Sequence, residues 1–259
     1  MMGTGTDPGA RAERLRALHV PGRPLILANA WDASSARTVE AAGFPAVATS
    51  SAAVAAALGY KDGEAPPDEM LAAAGRIVRV VAVPVTVDLE AGYGWEPRDL
   101  VERLIQVGAA GCNLEDTDHA SGRLADASAH AGWLGEVCAA ARGAGVPLVI
   151  NARTDVFIHG RGRPEAELVD SAIDRGRRYL EAGADCVFPI FAAEEVTIGN
   201  LVKGMGGPVN VLFRPAVPAL ARLAELGVAR VSLGGGLGRV ANAAVRTAVE
   251  RLAAGDAPW

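Results

Sequence analysis

Five polar clusters, each standing at the end of an apolar run, hold the residues that could do chemistry in this chain. They are Asn29-Ala30-Trp31-Asp32, Thr49-Ser50-Ser51, Asp88-Leu89-Glu90, Glu115-Asp116 and Asn151-Ala152-Arg153-Thr154-Asp155. Asp88 and Glu90 are two residues apart, a spacing that puts side chains on one face of a strand, and Glu115 would add a third carboxylate from a neighbouring strand. Three carboxylates crowded together repel and protonate unless a hard divalent cation shares their oxygens. Mg2+ is the favoured ion, with Mn2+ as the alternative. The competing reading gives Asp88 to a helix cap, Glu90 to a solvated loop and Glu115 to an arginine. Arg153 emerges from the apolar run Leu148–Ile150 at a depth where an unpartnered guanidinium is costly. A substrate carboxylate would satisfy it, as would Asp155 or a carboxylate on a neighbouring strand. Gly92-Tyr93-Gly94 would let the chain turn sharply over the carboxylates.

The elements that must position these residues follow a repeated pattern. A helical stretch ends at Gly43, Gly108, Gly145, Gly183 or Gly227, and a short apolar strand follows within a few residues. Those strands are Ala46–Ser51, Gly111–Glu115, Pro147–Arg153, Cys186–Ile190 and Arg230–Gly234. Leu25–Ala30, Pro84–Glu90 and Pro208–Phe213 have the same length and the same helical stretches between them. Unalternating apolar runs suit strands buried on both faces, and right-handed crossovers wind such units in one direction. The pattern predicts an α/β fold, a (β/α)8 TIM-type barrel, with an open doubly wound sheet as the rival. Arg11–His19 is predicted as a short leading helix and Gly236–Ala254 as a long final one, the whole of residues 1–259 forming one domain. In such a barrel the carboxyl ends of the strands form the active-site face, which is where the polar clusters fall. Ser232-Leu233-Gly234-Gly235-Gly236-Leu237-Gly238 would be either a phosphate-binding turn or a tight turn into the last helix.

Half of the 259 residues are hydrophobic, enough for one large core, and the net charge of -5 comes without basic stripes, so nucleic acid is not an expected partner. Met1–Ala10 is Gly-rich and polar where a signal peptide needs a basic start and an apolar run, and Val78–Val87 is too short to span a bilayer. No membrane association is expected. Three scattered cysteines, Cys112, Cys138 and Cys186, suggest neither a disulfide framework nor a zinc site and fit reduced thiols in the cytoplasm, with Cys112 in the core.

From Asn29-Ala30-Trp31-Asp32-Ala33 through Gly59-Tyr60-Lys61-Asp62-Gly63-Glu64, Asp88 to Gly94, Asn113-Leu114-Glu115-Asp116 and Asn151 to Asp155, and on to Asn210-Val211-Leu212, the chain resembles the isocitrate lyase and phosphoenolpyruvate mutase superfamily. The resemblance implies that Asp88, Glu90 and Glu115 hold Mg2+ directly or through water. It implies that Ser50 and Ser51 bind carboxylate and carbonyl oxygens, that Arg153 binds substrate, and that Asp62 stands near the reacting centre on a segment able to gate it. Without the resemblance Asp62 reads as a turn acid before Pro66-Pro67. It also implies a homotetramer.

The departures are as informative. Isocitrate and methylisocitrate lyases carry a Lys-Lys/Arg-Cys-Gly-His segment after the fourth strand, where this chain has Thr117-Asp118-His119-Ala120-Ser121-Gly122-Arg123-Leu124. The Asn-bearing lid of the mutases is missing too, and Phe188-Pro189-Ile190 stands where that branch has a histidine. His119 and Arg123 could do the lid's work, His119 by moving protons. The expected substrate is a small 2-oxo acid or dicarboxylate that chelates Mg2+ through its carbonyl and one carboxylate oxygen. The expected reaction is cleavage or formation of a carbon–carbon bond next to that carbonyl through an enolate. The alternatives are a phosphonopyruvate or phosphoenolpyruvate mutase or hydrolase, and a catalytically silent barrel that binds 2-oxo acids.

Overall fold

The computed structural model describes residues 7–259. The first six residues of the Met1–Ala10 stretch lie outside them. The first helix, Pro8–Ala17, begins where Asp7 accepts from the Gly9 amide and Pro8 fills a position that needs no N–H. Parallel strands follow: β1 (Leu25–Leu27), β2 (Asn29–Ala30), β3 (Val47–Thr49), β4 (Val85–Asp88) and β5 (Gly111–Glu115). After a two-stranded antiparallel ribbon, β6 (Thr117–Asp118) with β7 (Arg123–Leu124), come β8 (Val149–Thr154), β9 (Cys186–Pro189), β10 (Asn210–Leu212) and β11 (Arg230–Ser232).

One ladder runs β2-β3-β4-β5-β8-β9 and another β1-β11-β10. The bridge between Val187 and Val209 joins β9 to β10, and β1 and β2 are a single run interrupted at Ala28. The ring therefore closes as a (β/α)8 barrel of the TIM type, and the open sheet is excluded. All five glycine stops have positive φ, from 74° at Gly145 to 109° at Gly183, the left-handed geometry that ends a helix without a Cβ clash. The final helix spans Gly236–Ala253. Gly234, at φ 52°, makes the preceding segment a tight turn, in which Leu233 N–H donates to Asn29 Oδ1.

The amino-terminal mouth is plugged by Leu15 of the first helix, packed on Leu25, Leu27, Ala46, Ala48, Ala110 and Val149. Above this apolar floor lies a polar waist. Arg230 is fully buried and donates to Asn113 Oδ1 at 3.0 Å, while Asn151 Nδ2 donates to the same oxygen at 2.8 Å. Among the described residues Arg230 pairs with no carboxylate, and burial lowers its pKa to about 10. The three cysteines are buried free thiols. Among the described residues no helix is long and apolar enough to cross a membrane.

His19, also buried, donates from Nδ1 to Leu15 O at 2.9 Å, leaving Nε2 3.5 Å from Arg230 Nη1. Burial, and then Arg230, lower its pKa from 6.5 to about 4. Between those values the unfolded chain takes up a proton that the folded chain refuses, so stability falls as pH drops through that window and is flat above it. Urea unfolding of wild type should lose roughly 3 kcal/mol from this group across the window. The His19→Gln variant should lose correspondingly less, and identical pH dependence in the two would show that His19 contributes nothing.

Candidate active site

At the carboxyl end of the barrel each acidic residue is held by a different device. Asp88 ends β4, and its Oδ2 accepts both the Ser51 amide and the Ser51 hydroxyl at 3.0 Å. Ser51 opens the helix Ser51–Leu58, whose N-cap Ser50 makes no side-chain cap bond. Asp88 thus fills the positive N-terminus of a helix belonging to the preceding unit, a favourable place for an anion. It does not cap the helix that follows it.

Glu90 corrects the alternation argument. The strand stops at Asp88, and Glu90 stands in a turn at φ 52°, followed by Gly92 at 83°, Tyr93 at 56° and Gly94 at 70°. Left-handed Glu and Tyr cost on the order of 1–2 kcal/mol each, so the turn is held by its surroundings. Gly92 shows why: a Cβ there would lie 2.8 Å from Trp133 Cη2. Glu90 is buried and forms no ion pair among the described residues; Tyr93 donates to its Oε1 at 3.4 Å. Burial, followed by Asp88, Glu115 and Asp62, pushes its pKa up to about 7.

Glu115, at the end of β5, is paired. Arg153 Nη1 lies 2.5 Å from its Oε2 and His119 Nε2 lies 2.7 Å from its Oε1. Burial raises the proton affinity of Glu115 against the pull of His119 and Arg153. The hydrogen bond to Glu115 in turn raises the pKa of His119, which is carried on the ribbon β6–β7. Arg153 also donates to Asp155 through Nε at 2.6 Å and Nη2 at 3.1 Å. Burial works against its charge, but Glu115, Asp155 and Asp88 more than offset it. Both ion-pair alternatives for Arg153 are therefore realised together. Asp62 lies in an exposed loop, yet partial withdrawal from water and then Asp88 raise its pKa, opposed by Arg153, Ser51 and His119.

As the side chains stand, no group of three His, Cys, Asp or Glu residues among the described ones could hold a metal ion. The donor set still suits a hard cation, since Asp88, Glu90 and Glu115 offer only carboxylate oxygens, and Asp88 and Glu115 raise Glu90's proton affinity against the opposing pull of His119. Arg123 is the exposed residue of β7 and makes no side-chain hydrogen bond among the described residues. Asn29 and Asn210 serve the frame: Asn29 Nδ2 donates to Thr49 O, and Asn210 pairs with Ser232.

Sequence reasoning missed the support behind Arg153. Asp116 is fully buried and accepts from Arg175 Nη1 at 3.0 Å, Tyr179 Oη at 2.8 Å and the Asp155 amide at 2.8 Å. Thr117 donates to Asp155 Oδ2 at 2.6 Å and accepts from His159 Nε2 at 3.0 Å. A sequence clue existed: Arg175 sits among Leu168, Ala172 and Tyr179, the buried face of the helix Glu165–Glu181, where a cation must find an anion.

The comparisons with known proteins point one way. The sequence pattern of the phosphoenolpyruvate phosphomutase family matches residues 15–253. An uncharacterised protein of Mycobacterium tuberculosis is 35% identical over 217 residues, 84% of this chain and 80% of its own. The 2-methylisocitrate lyase of Escherichia coli K12 is 30% identical over 233 residues, 82% of this chain and 72% of its own. A solved structure of a phosphonomutase-like protein from Burkholderia cenocepacia J2315 superposes with a TM-score of 0.88 at 41% identity, covering 95% of this chain and 99% of that one.

Removing Arg175 would leave Asp116 buried without a cation. The Arg175→Met variant should lose about 3–5 kcal/mol in chemical denaturation. Combining it with Asp116→Asn should cost clearly less than the two single losses added together, and strict additivity would show that the pair is not coupled.

Proposed function

This chain belongs to the isocitrate lyase/phosphoenolpyruvate mutase superfamily, and from that premise we propose that it is an enzyme that makes or breaks a carbon–carbon bond beside the carbonyl of a small 2-oxo acid. One observation carries the reading. A buried acidic cluster with an unpaired Glu90 faces an arginine whose donors are only partly used. Such a site can take a cation and an anionic substrate side by side.

Asp88, Glu90 and Glu115 would hold the ion. When bound there, Mg2+ or Mn2+ would supply Lewis acidity beside the carbonyl oxygen of the substrate. Arg153 uses three of its five N–H groups on Glu115 and Asp155, leaving two for a substrate carboxylate. Ser50, at the positive end of its helix, and Ser51, once its hydroxyl turns from Asp88, orient that carboxylate and the carbonyl oxygen. His119 keeps a proton at Nε2 against Glu115 and can deliver it as charge collapses. Asp62, its proton affinity raised, takes or returns the other proton from the edge of the site.

Carbon–carbon chemistry is favoured over phosphonopyruvate turnover because the hairpin, which lacks the Asn of the mutase lid, places His119 on the acidic cluster, and Phe188-Pro189-Ile190 stands where the mutases have a histidine. We also place the protein in the cytoplasm, where its three buried thiols stay reduced. Residues 1–259 act as one domain in an oligomer, a tetramer by resemblance, supported by the exposed stripe Val245, Val249 and Leu252 on the final helix.

Purified protein offered 2-oxo diacids, 2-hydroxy acids and phosphonopyruvate should release pyruvate, glyoxylate or oxalate from one of them only with Mg2+, and EDTA should abolish the release. The Glu90→Gln variant should lower kcat by about 100-fold or more. Absence of both turnover and Mg2+-dependent oxalate binding would sink the reading, while phosphonopyruvate as sole substrate would move it to the mutase branch. Light scattering should give a mass near four chains, and Val249→Asp should lower it; a monomer in both would end the oligomer proposal.

A further inference from the structure

Beside the acidic cluster lies a cavity of about 630 Å3 that shares Glu90, Glu115 and His119 with it. Its remaining lining is largely apolar, with Ala91, Tyr93 and Ala125 on loops, Trp133 on the helix Ala127–Gly143, and Pro66 and Pro67 at the start of the helix Pro67–Val78. Among the described residues no lysine or arginine lines it. The other ionisable groups do not alter that balance. Glu64 and Asp118 are exposed, Glu64 sits 3.7 Å from Lys61, and Asp118 accepts from Ser121 and the Ala120 amide. His130 is buried against Trp133 and Tyr179, and burial favours its neutral form.

The walls are fixed before any ligand arrives. Trp133 is wedged against Gly92, whose φ of 83° admits no other side chain without strain, and Ala125 is pinned through its amide to Asp116 O and through its carbonyl to Arg175 Nη2. A second carboxylate or a phosphonate placed here would leave water to face Glu90 and Glu115, and among the lining residues only His119, already bound to Glu115, could offset its charge, a costly arrangement. An alkyl or aryl group would gain by burial in a ready-made space.

We propose that this cavity receives an uncharged apolar substituent of the substrate, so that the preferred substrates are 2-oxo acids, or the 2-hydroxy acids that yield them, with an alkyl or aryl tail. Diacids are disfavoured. The inference rests on the reading of the preceding section, that the 2-oxo carboxylate itself binds at the acidic cluster and Arg153. Tail and head are therefore tested separately, with uncleavable probes that share one head.

Calorimetry with Mg2+ present would compare oxamate, N-butyloxamate, N-oxalylglycine and N-(2-trimethylammonioethyl)oxamate. N-butyloxamate should bind about tenfold or more tighter than oxamate, and N-oxalylglycine no tighter than oxamate. In the Ala125→Phe variant, and independently in Ala91→Leu, the butyl advantage should vanish while oxamate binding holds. If oxamate binds but the butyl tail adds nothing, or if the carboxylate or trimethylammonium tail binds more tightly than butyl, the apolar-tail assignment falls and the head-group reading stands. If no probe binds, including oxamate, both fall together.

Discussion

A guanidinium at the end of an apolar strand costs several kcal/mol in lost hydration unless anions surround it, and breaking one partner of such a buried pair costs nearly as much again. Arg153 meets this constraint with Glu115 on the neighbouring strand and Asp155 two residues on. Asp155 is itself set by the Asp116 carboxylate through its amide and by the Thr117 hydroxyl through its side chain. Asp116 is anchored in turn by Arg175 and Tyr179, four residues apart on one helix. The chain of charges runs from the outer ring of helices to the mouth of the barrel, so the position of Arg153 is decided by packing well away from the site.

Positive charge is also distributed unevenly around the acidic cluster. Asp88 rests on a helix N-terminus, and Glu115 on an arginine and a histidine, while Glu90 has only a tyrosine hydroxyl. That leaves Glu90, its carboxyl pushed up to about 7, as the one with most to gain from an added cation. Its left-handed backbone, held by the fit of Gly92 against Trp133, keeps it at the cluster although the strand has already ended. The barrel thus stores some local strain to hold a charge where electrostatics alone would disperse it.

Much of this was legible in the sequence, because strands buried on both faces read as unbroken apolar runs and glycine marks helix ends that need positive φ. The strand ends, and with them Asp88, Glu115 and Arg153, followed directly. Glu90 was found for an incomplete reason: a period of two assumes that the strand continues, and only the dihedrals show that it does not. The ribbon β6–β7 escaped notice because two residues per strand leave no periodicity to detect. Asp116 and Arg175 are 59 residues apart, and nothing local links them. Arg230 was read as the first residue of an apolar strand, with no sign that its guanidinium would turn into the waist of the barrel rather than out to water.

The ribbon that carries His119 is tied together by its own ladder, by the Gly122 amide on Asp118 O and by Ser121 on the Asp118 carboxylate. It joins the barrel at its two ends, where Thr117 meets Asp155 and the Ala125 amide meets Asp116 O. Because closing a somewhat longer loop between fixed ends costs little extra entropy, the segment between those anchors can be lengthened, shortened or exchanged at the loss of a single contact to the Arg153 network, that of His119 with Glu115. The molecule is therefore built as a constant chassis with one replaceable cartridge, and its chemistry can diversify at the cartridge while the barrel beneath stays as it is.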